Sequence, residues 1–577
     1  MYKLIFLIFL TGLSAQSLIT DYEKSGYKET PRYEQTIDYC KKLAAASPFI
    51  QYTTFGISPQ GRDLPLLIID KNANFTADAV RNTDNVVFMI QAGIHAGEID
   101  GKDAGFMLIR DIIQNSDLFE LLDHVSILFI PIFNVDGHER FSGYSRANQN
   151  GPEEMGWRVT AQNYNLNRDY LKADAPEMKA WLKLYNAWLP EFFADCHVTD
   201  GADYQYTISY DIDRHGILDP DLIKWVENSL LPPLKSSMAN DNFPLIEYVW
   251  LNKINHIENG IKTWASPPRF SNGYCAVQNR PGLLIETHMF KDYKSRVAAT
   301  YSILKHCLEI LNKEYRALRA TIVSVDKKTA SKSFRDKPLT LTYTLSDRFE
   351  IIDFLGFEYE ITKSDLTGGE WIRYNTNKPK TYRIPFYNKM NADINVQLPD
   401  VYIIPVEWTD VIDRIKLHGI KYLTLKDEKE LTVSTYKFKN PVWSEKPYEG
   451  RQTVEFELVP IETERTFFPG SIVINMNQRA AKVIAGILEP QAPDSYVYWG
   501  FFNTIFERRE YVEPYVMEER ARMMLAADPQ LKNEFESRMQ SDGSFRHNPD
   551  EILMWFYNNS PFRDETKDIY PVGRIFK

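Results

Sequence analysis

Residues 86–101, VVFMIQAGIHAGEIDG, constrain the fold more than any other stretch of the chain. Val86, Val87, Phe88, Met89 and Ile90 have no polar residue among them, which is the pattern of a strand covered on both faces and therefore of an α/β sheet. Glycines then let the chain turn. From Gly101 onward, Ala104, Met107, Leu108 and Ile112 fall on one helical face. His95 and Glu98 thus occupy the turn between a strand end and a helix, the place where open α/β sheets hold ligands. An imidazole and a carboxylate in one such turn can both reach a Zn²⁺ ion, which accepts nitrogen and oxygen ligands in tetrahedral geometry. Alone, an HxxE spacing is also what a solvated loop gives, so the rest of the chain has to agree with it.

Three other apolar runs end in the same way. Residues 125–133 (VSILFIPIF) run into Asn134, residues 192–196 into His197, and residues 282–285 into Glu286. Strand, helix, strand implies parallel pairing with a crossover, and in a mostly parallel sheet the strand ends lie along one edge. Four such side chains could then share one crevice. Helices are predicted over residues 33–46, 175–189 and 296–313, and the segment TTFGISPQGRDLPLLIID predicts a hairpin. The predicted fold is a mixed, mostly parallel sheet flanked by helices over residues 17–320. Residues 321–338, polar and charged, read as a linker. Period-two alternation in residues 339–345 and 454–458 predicts a β-rich, sandwich-like accessory domain over 339–490, with a helix inserted at residues 407–417. Residues 491–577 read as a helical C-terminal region.

At 577 residues with 44% apolar and 25% charged side chains, the chain is that of a folded, multidomain protein. A formal charge of −11 without a basic stripe argues against a nucleic-acid partner. Residues 1–16, MYKLIFLIFLTGLSAQ, pair one Lys with an apolar run and a small-residue ending, the pattern of a secretory signal peptide. The mature chain is expected to be exported, periplasmic or extracellular, with no transmembrane segment. Cys40, Cys196, Cys275 and Cys307 have no C-x-x-C spacing, and their pairing is open.

Taken in order, HxxE at His95 and Glu98, N-x-D-G at Asn134, Trp157-Arg158, Asn167-Arg168, His197 and Glu286 resemble the zinc carboxypeptidase family, the carboxypeptidase A-like metallopeptidases, over about residues 33–313. The HVTDGADYQY and ETHM segments are most similar to exported bacterial members. The resemblance implies one Zn²⁺ per chain held by His95, Glu98 and His197, with a fourth position open, as catalytic zinc requires. It implies Glu286 as general base, Arg158 facing the developing oxyanion, and Asn167 with Arg168 gripping the C-terminal carboxylate of a peptide. It implies Tyr274 as the tyrosine closing over the bound end, although Tyr274 lies nearer Glu286 than the family spacing suggests. Better-known members have Asp where this chain has Asn165; an amide still accepts a hydrogen bond from the first histidine but brings no charge. Asp195 beside the second histidine could orient a ligand or be merely solvated. Cys196, if in a strand, points away from His197 and is a buried thiol.

These residues imply a metallocarboxypeptidase. The rival with the same site is an amidohydrolase or a cell-wall peptide hydrolase acting on peptidoglycan stem peptides. The rival of another class is a catalytically silent exported binding protein.

Overall fold

The computed structural model describes residues 18–576; the expected signal peptide lies outside the described residues. In chain order the first ten strands are β1 (Ile50–Ile57), β2 (Asp63–Ile69), β3 (Val86–Ala92), β4 (Val125–Ile130), β5 (Phe192–Thr199), β6 (Ile208–Ile212), β7 (Leu245–Glu247), β8 (Trp250–Leu251), β9 (Ile261–Lys262) and β10 (Gly282–His288). Eight of them form one sheet in the order β1-β2-β4-β3-β5-β10-β6-β7. Strands β4, β3, β5 and β10 run parallel, with antiparallel β1 and β2 on one side and β6 antiparallel to β10 on the other. Every residue of β3, β4, β5 and β10 is buried, as their mostly apolar sequences favour.

The register sets the site. Glu286 on β10 lies beside His197 on β5, and Asp195 on β5 lies beside Gln91 on β3. Helix Asp100–Gln114 follows β3 and is locked to β10, because Asp100 accepts from the Thr287 hydroxyl and from the buried Arg296 guanidinium at 2.9 Å. A Cβ on Gly101 would stand 2.3 Å from Cys196 Cβ, so only glycine lets this helix approach β5 so closely. The same contact puts the Cys196 thiol on the helix side of the sheet, away from His197. All four cysteines are free and buried.

Helices Tyr33–Ala46 and Pro176–Trp188 and the β1–β2 hairpin form where the sequence predicts them. The expected linker does not. Helix Tyr293–Thr329 runs far past residue 313, and Ile322, Val325 and Thr329 are buried along one face. Beyond residue 313 its charged residues are exposed or half-buried, with Asp326 paired to Arg280 at 3.0 Å. Beyond it, the alternating segments do make strands, but they form no sandwich. One antiparallel six-stranded sheet joins Val401–Ile404, Leu423–Thr424, Lys429–Trp443, Val454–Phe467, Ile472–Asn475 and Gly573–Ile575. Helix Thr409–Leu417 is inserted as expected.

A separate long hairpin, Glu350–Lys363 with Glu370–Tyr387, is joined to β9 and through it to β8. Residues 491–513 are mostly turns, and the C-terminal helices begin only at Pro514. The two halves are not independent: Tyr170, Trp181 and Tyr185 share one apolar core with Tyr402, Ile484 and Tyr496. No helix among the described residues is long and apolar enough to cross a membrane.

Candidate active site

At the end of β3 the backbone of Gly93 adopts φ 66°, a left-handed turn that swings residues 94–99 back over the sheet edge. This brings His95 and Glu98 opposite His197. Ligand atoms of the three residues lie within 4.8 Å of one another, and all three side chains are buried. His95 Nδ1 is 3.1 Å and His197 Nδ1 3.0 Å from the same oxygen, Glu98 Oε2.

The outer nitrogens of the rings decide what that convergence means. Asn165 Oδ1 accepts the backbone N–H of Asn167 at 3.1 Å, which fixes it as the amide oxygen, and it lies 3.1 Å from His95 Nε2. His95 therefore carries its proton on Nε2. His197 Nε2 lies 2.9 Å from Asp195 Oδ2, so the same holds for the second ring. With neutral rings, both Nδ1 lone pairs and a carboxylate oxygen face one point. Such an arrangement is repulsive unless a cation stands there, and the two-nitrogen, one-oxygen donor set suits Zn²⁺. Burial lowers the His95 pKa to about 4, which keeps that ring in the ligand form, whereas Asp195 and Glu98 raise His197 despite its burial. A cation at Nδ1 would displace the second proton of His197.

Asp195 is thus a positioning residue rather than a solvated one. Its other oxygen accepts from Gln91 Nε2 at 2.9 Å, and the same amide donates to the Tyr170 hydroxyl at 2.8 Å. Asn165 serves His95 as a neutral counterpart. Glu98 is held from outside by Arg146, whose Nη1 is 2.8 Å from Oε1, and by Arg158 at 3.3 Å. Arg146 sits in a loop without a motif, and nothing in the sequence marks it. The Arg158 side chain remains 43% exposed at the cleft.

Glu286 is buried beside His197, and desolvation pushes its carboxyl up to about 8 against the pull of the His197 cation. Arg168 stacks on the Phe270 ring, 4.2 Å from its centroid, and donates to the Asn167 carbonyl at 2.8 Å. Among the described residues it has no carboxylate ion pair, and burial lowers its pKa against the nearby Tyr448 phenol from the C-terminal half. Asn167 Oδ1 accepts the Ser271 N–H at 3.3 Å, tying this loop to the helix that starts there.

Tyr274 is not at the site. It is fully buried in helix Ser271–Val277, and its hydroxyl donates to His418 Nδ1 at 2.8 Å, the other ring nitrogen of which donates to the Leu171 carbonyl. It therefore belongs to the junction between the two halves, where its ring packs near Trp181 and Tyr185. The tyrosine nearer the site is Tyr248, half-buried next to β7, which donates its backbone N–H to the Tyr210 carbonyl at 2.7 Å and whose pKa is raised by burial and then by the charge of Glu286. No spacing in the sequence singles it out.

Residues 36–266 match the family model described as zinc carboxypeptidase. That span contains His95, Glu98, Arg158, Asn167, Arg168 and His197, and it ends before Glu286. Carboxypeptidase 2 of Trichophyton rubrum is 19% identical over 490 residues, covering 82% of this chain and 84% of that protein. Carboxypeptidase 2 of Trichophyton tonsurans is also 19% identical, over 494 residues, with coverage of 82% and 84%. Among solved structures, a metallo-carboxypeptidase from Pseudomonas aeruginosa aligns at 17% identity and TM-score 0.36, covering 50% of this chain and 70% of its own. Carboxypeptidase A from Helicoverpa armigera aligns at 14% identity and TM-score 0.37, covering 52% and 75%. The matched span and the donor set within it agree: residues 36–266 match the zinc carboxypeptidase family, and the protein is a zinc metallocarboxypeptidase.

Proposed function

We propose that the protein is an exported carboxypeptidase that removes C-terminal residues from peptides, with His95, Glu98 and His197 as zinc ligands, Glu286 as general base and Asn167 with Arg168 as the carboxylate anchor. The observation that carries this reading is the convergence of two imidazole lone pairs and a carboxylate oxygen beside Glu286, with an unpaired guanidinium in the same cleft. Zinc held there would polarise the scissile carbonyl and acidify water.

The chain's own groups supply the remaining steps. Arg168 and Asn167 hold the substrate carboxylate, so that only the last peptide bond lies in reach. Glu286 takes a proton from the attacking water and passes it to the leaving amine nitrogen, a transfer suited to a carboxyl whose affinity for protons burial has raised. Arg158, the more exposed of the two guanidinia on Glu98, can turn toward the carbonyl oxygen as its negative charge develops. Arg146 stays on Glu98 and fixes its orientation. Tyr248, rather than Tyr274, is our candidate for the closing tyrosine that the family resemblance implies, because the charge of Glu286 acts on it. Export is supported by the Lys3 and apolar pattern of residues 1–16, and N-terminal sequencing of the mature protein tests it.

The test of the activity is a pair of peptides, one with a free C-terminus and one amidated. The zinc-loaded protein should cleave the free acid and leave the amide largely intact. Equal cleavage of both, or cleavage of internal bonds, would remove the exopeptidase reading.

A further inference from the structure

A cavity of about 280 Å³ opens past the strand ends that carry the catalytic groups, and part of its wall comes from the long hairpin. Tyr204, Tyr248 and Ile261 line one side; Phe354, Ile372 and Tyr374 of the long hairpin line the other. The cavity starts where the strands carrying His197 and Glu286 end. The Tyr204 ring stands edge-on to His288, two residues past Glu286, with centroids 4.4 Å apart, and Tyr248 donates its backbone N–H at 2.7 Å to the carbonyl of Tyr210, which pairs with Ile285 beside Glu286. The hairpin wall is fixed to the site rather than passing by it. Gln205 donates its backbone N–H to the Leu355 carbonyl at 3.0 Å and its side-chain amide to the Gly356 carbonyl at 2.7 Å, while Phe386 pairs with Ile261 in the small sheet.

We infer that this cavity is a specificity subsite for an apolar side chain on the residue immediately upstream of the scissile bond, and that the hairpin is the part of the chain that confers the preference. The inference rests on the exopeptidase reading. Among the lining residues only Asp200 is charged, and it is negative, so the cavity repels a chain-terminal carboxylate. The anchor's neighbours, Asn167, Phe270 and Tyr448, do not line it. A peptide held at Arg168 and cut next to Glu286 therefore has its terminal residue outside the cavity and sends the preceding side chain toward it. Aromatic and aliphatic walls favour a large apolar group there.

The test uses free-acid peptides with one fixed terminal residue and Gly, Ala, Leu or Phe before it, each with an amidated counterpart. For the wild type, kcat/KM should rise by at least about tenfold from Gly to Leu or Phe, the discrimination an apolar pocket gives. Ile372→Asp and Tyr374→Ser, both at half-exposed positions, should collapse that ratio through KM, with zinc content retained. Trp371→Ser, on the outward face of the same strand and 51% exposed, should leave the ratio as in the wild type. A flat series in the wild type overturns the inference, whatever the variants do. So does an undiminished ratio in both cavity variants, or an Ile372→Asp change that falls on the terminal residue's preference instead. Either result leaves the free-acid requirement standing; cleavage of the amides as fast as the acids would fell the exopeptidase reading and the subsite with it.

Discussion

At the zinc end of the cleft, His197 and Glu286 stand side by side on two parallel strands of one sheet, and His95 and Glu98 hang in the turn after a third. At the carboxylate end, Arg168 lies between a ring from another loop, Phe270, and a hydroxyl from the C-terminal half, Tyr448. The first is a product of sheet register; the second depends on how separate parts of the chain dock. Damage at the zinc end should therefore be all or none, because its groups share a single point. Damage at the anchor should be graded and should fall on substrate recognition.

The largest effect is expected at His197. His197→Ala removes one of three ligands, and zinc measured by elemental analysis of the dialysed protein should fall to near zero with turnover lost. Retained stoichiometric zinc would show that the convergence of His95, Glu98 and His197 is not the metal site. Next is Glu286→Gln, which keeps size and zinc but cannot accept a proton; kcat should drop by about 10²-fold or more with little change in KM. A variant with near-normal kcat would make Glu286 a packing residue of β10.

These two positions were also the ones most legible in the sequence. Each follows a short, mostly apolar run, so pattern places it at a strand end, and parallel pairing brings the ends together. Asp195 was half legible: alternation puts it on the face of His197, but whether it meets the ring depends on a hydrogen bond that spacing does not encode. Arg146, Tyr248 and Tyr448 were not legible, since each reaches the site from a loop or strand whose position is set by distant pairing. Tyr274 shows the converse. It has the expected residue type close to the expected place, yet all seven residues of its helix are buried and its hydroxyl is consumed by His418.

The C-terminal half failed in the sequence for a related reason. Alternation in residues 454–458 identifies a strand, but not that it shares one sheet with the distant Gly573–Ile575. The charged stretch after residue 321 looked like a linker because its charges were weighed as composition. Ile322, Val325 and Thr329 still keep helical spacing there, and they are the residues that bury.

A sharper test of the zinc end lies in the two residues that hold its rings. Asp195→Asn should weaken zinc binding by about 10- to 100-fold, as loss of a charged partner on a metal-bound imidazole does. Asn165→Asp should move affinity the other way, because a carboxylate there would raise the basicity of His95. Competition with a chelator reads both. Equal affinities in the wild type and Asp195→Asn would mean that the Asp195 contact orients nothing.

At the anchor, Arg168→Ala should lower kcat/KM for free-acid peptides by tens- to thousands-fold, the cost of losing one partner of a partly desolvated charge pair, about 2–5 kcal/mol. Amidated peptides should hardly change, so the preference disappears by loss of the faster reaction. Zinc content should be that of the wild type, which separates this end of the cleft from the other.

The smallest effect, and the one that most directly probes docking of the two halves, is expected from Tyr448→Phe. The phenol ring is 39% exposed and stacked near Trp499 at 5.8 Å, so removing only its hydroxyl leaves the loop in place. What is lost is the polar contact of its hydroxyl with the neighbouring Arg168 guanidinium in the substrate-bound cleft, expected on the scale of one hydrogen bond, about 0.5–1.5 kcal/mol, or roughly 2- to 13-fold in kcat/KM. The loss should appear in KM for free-acid peptides and vanish in an Arg168→Ala background, where no guanidinium remains to be held. Such non-additivity distinguishes a hydroxyl that acts through Arg168 from one that merely braces the loop, which would cost the same in either background. An additive double variant would assign the anchor to the catalytic half alone, and both ends of the cleft would then be the work of one sheet and its loops.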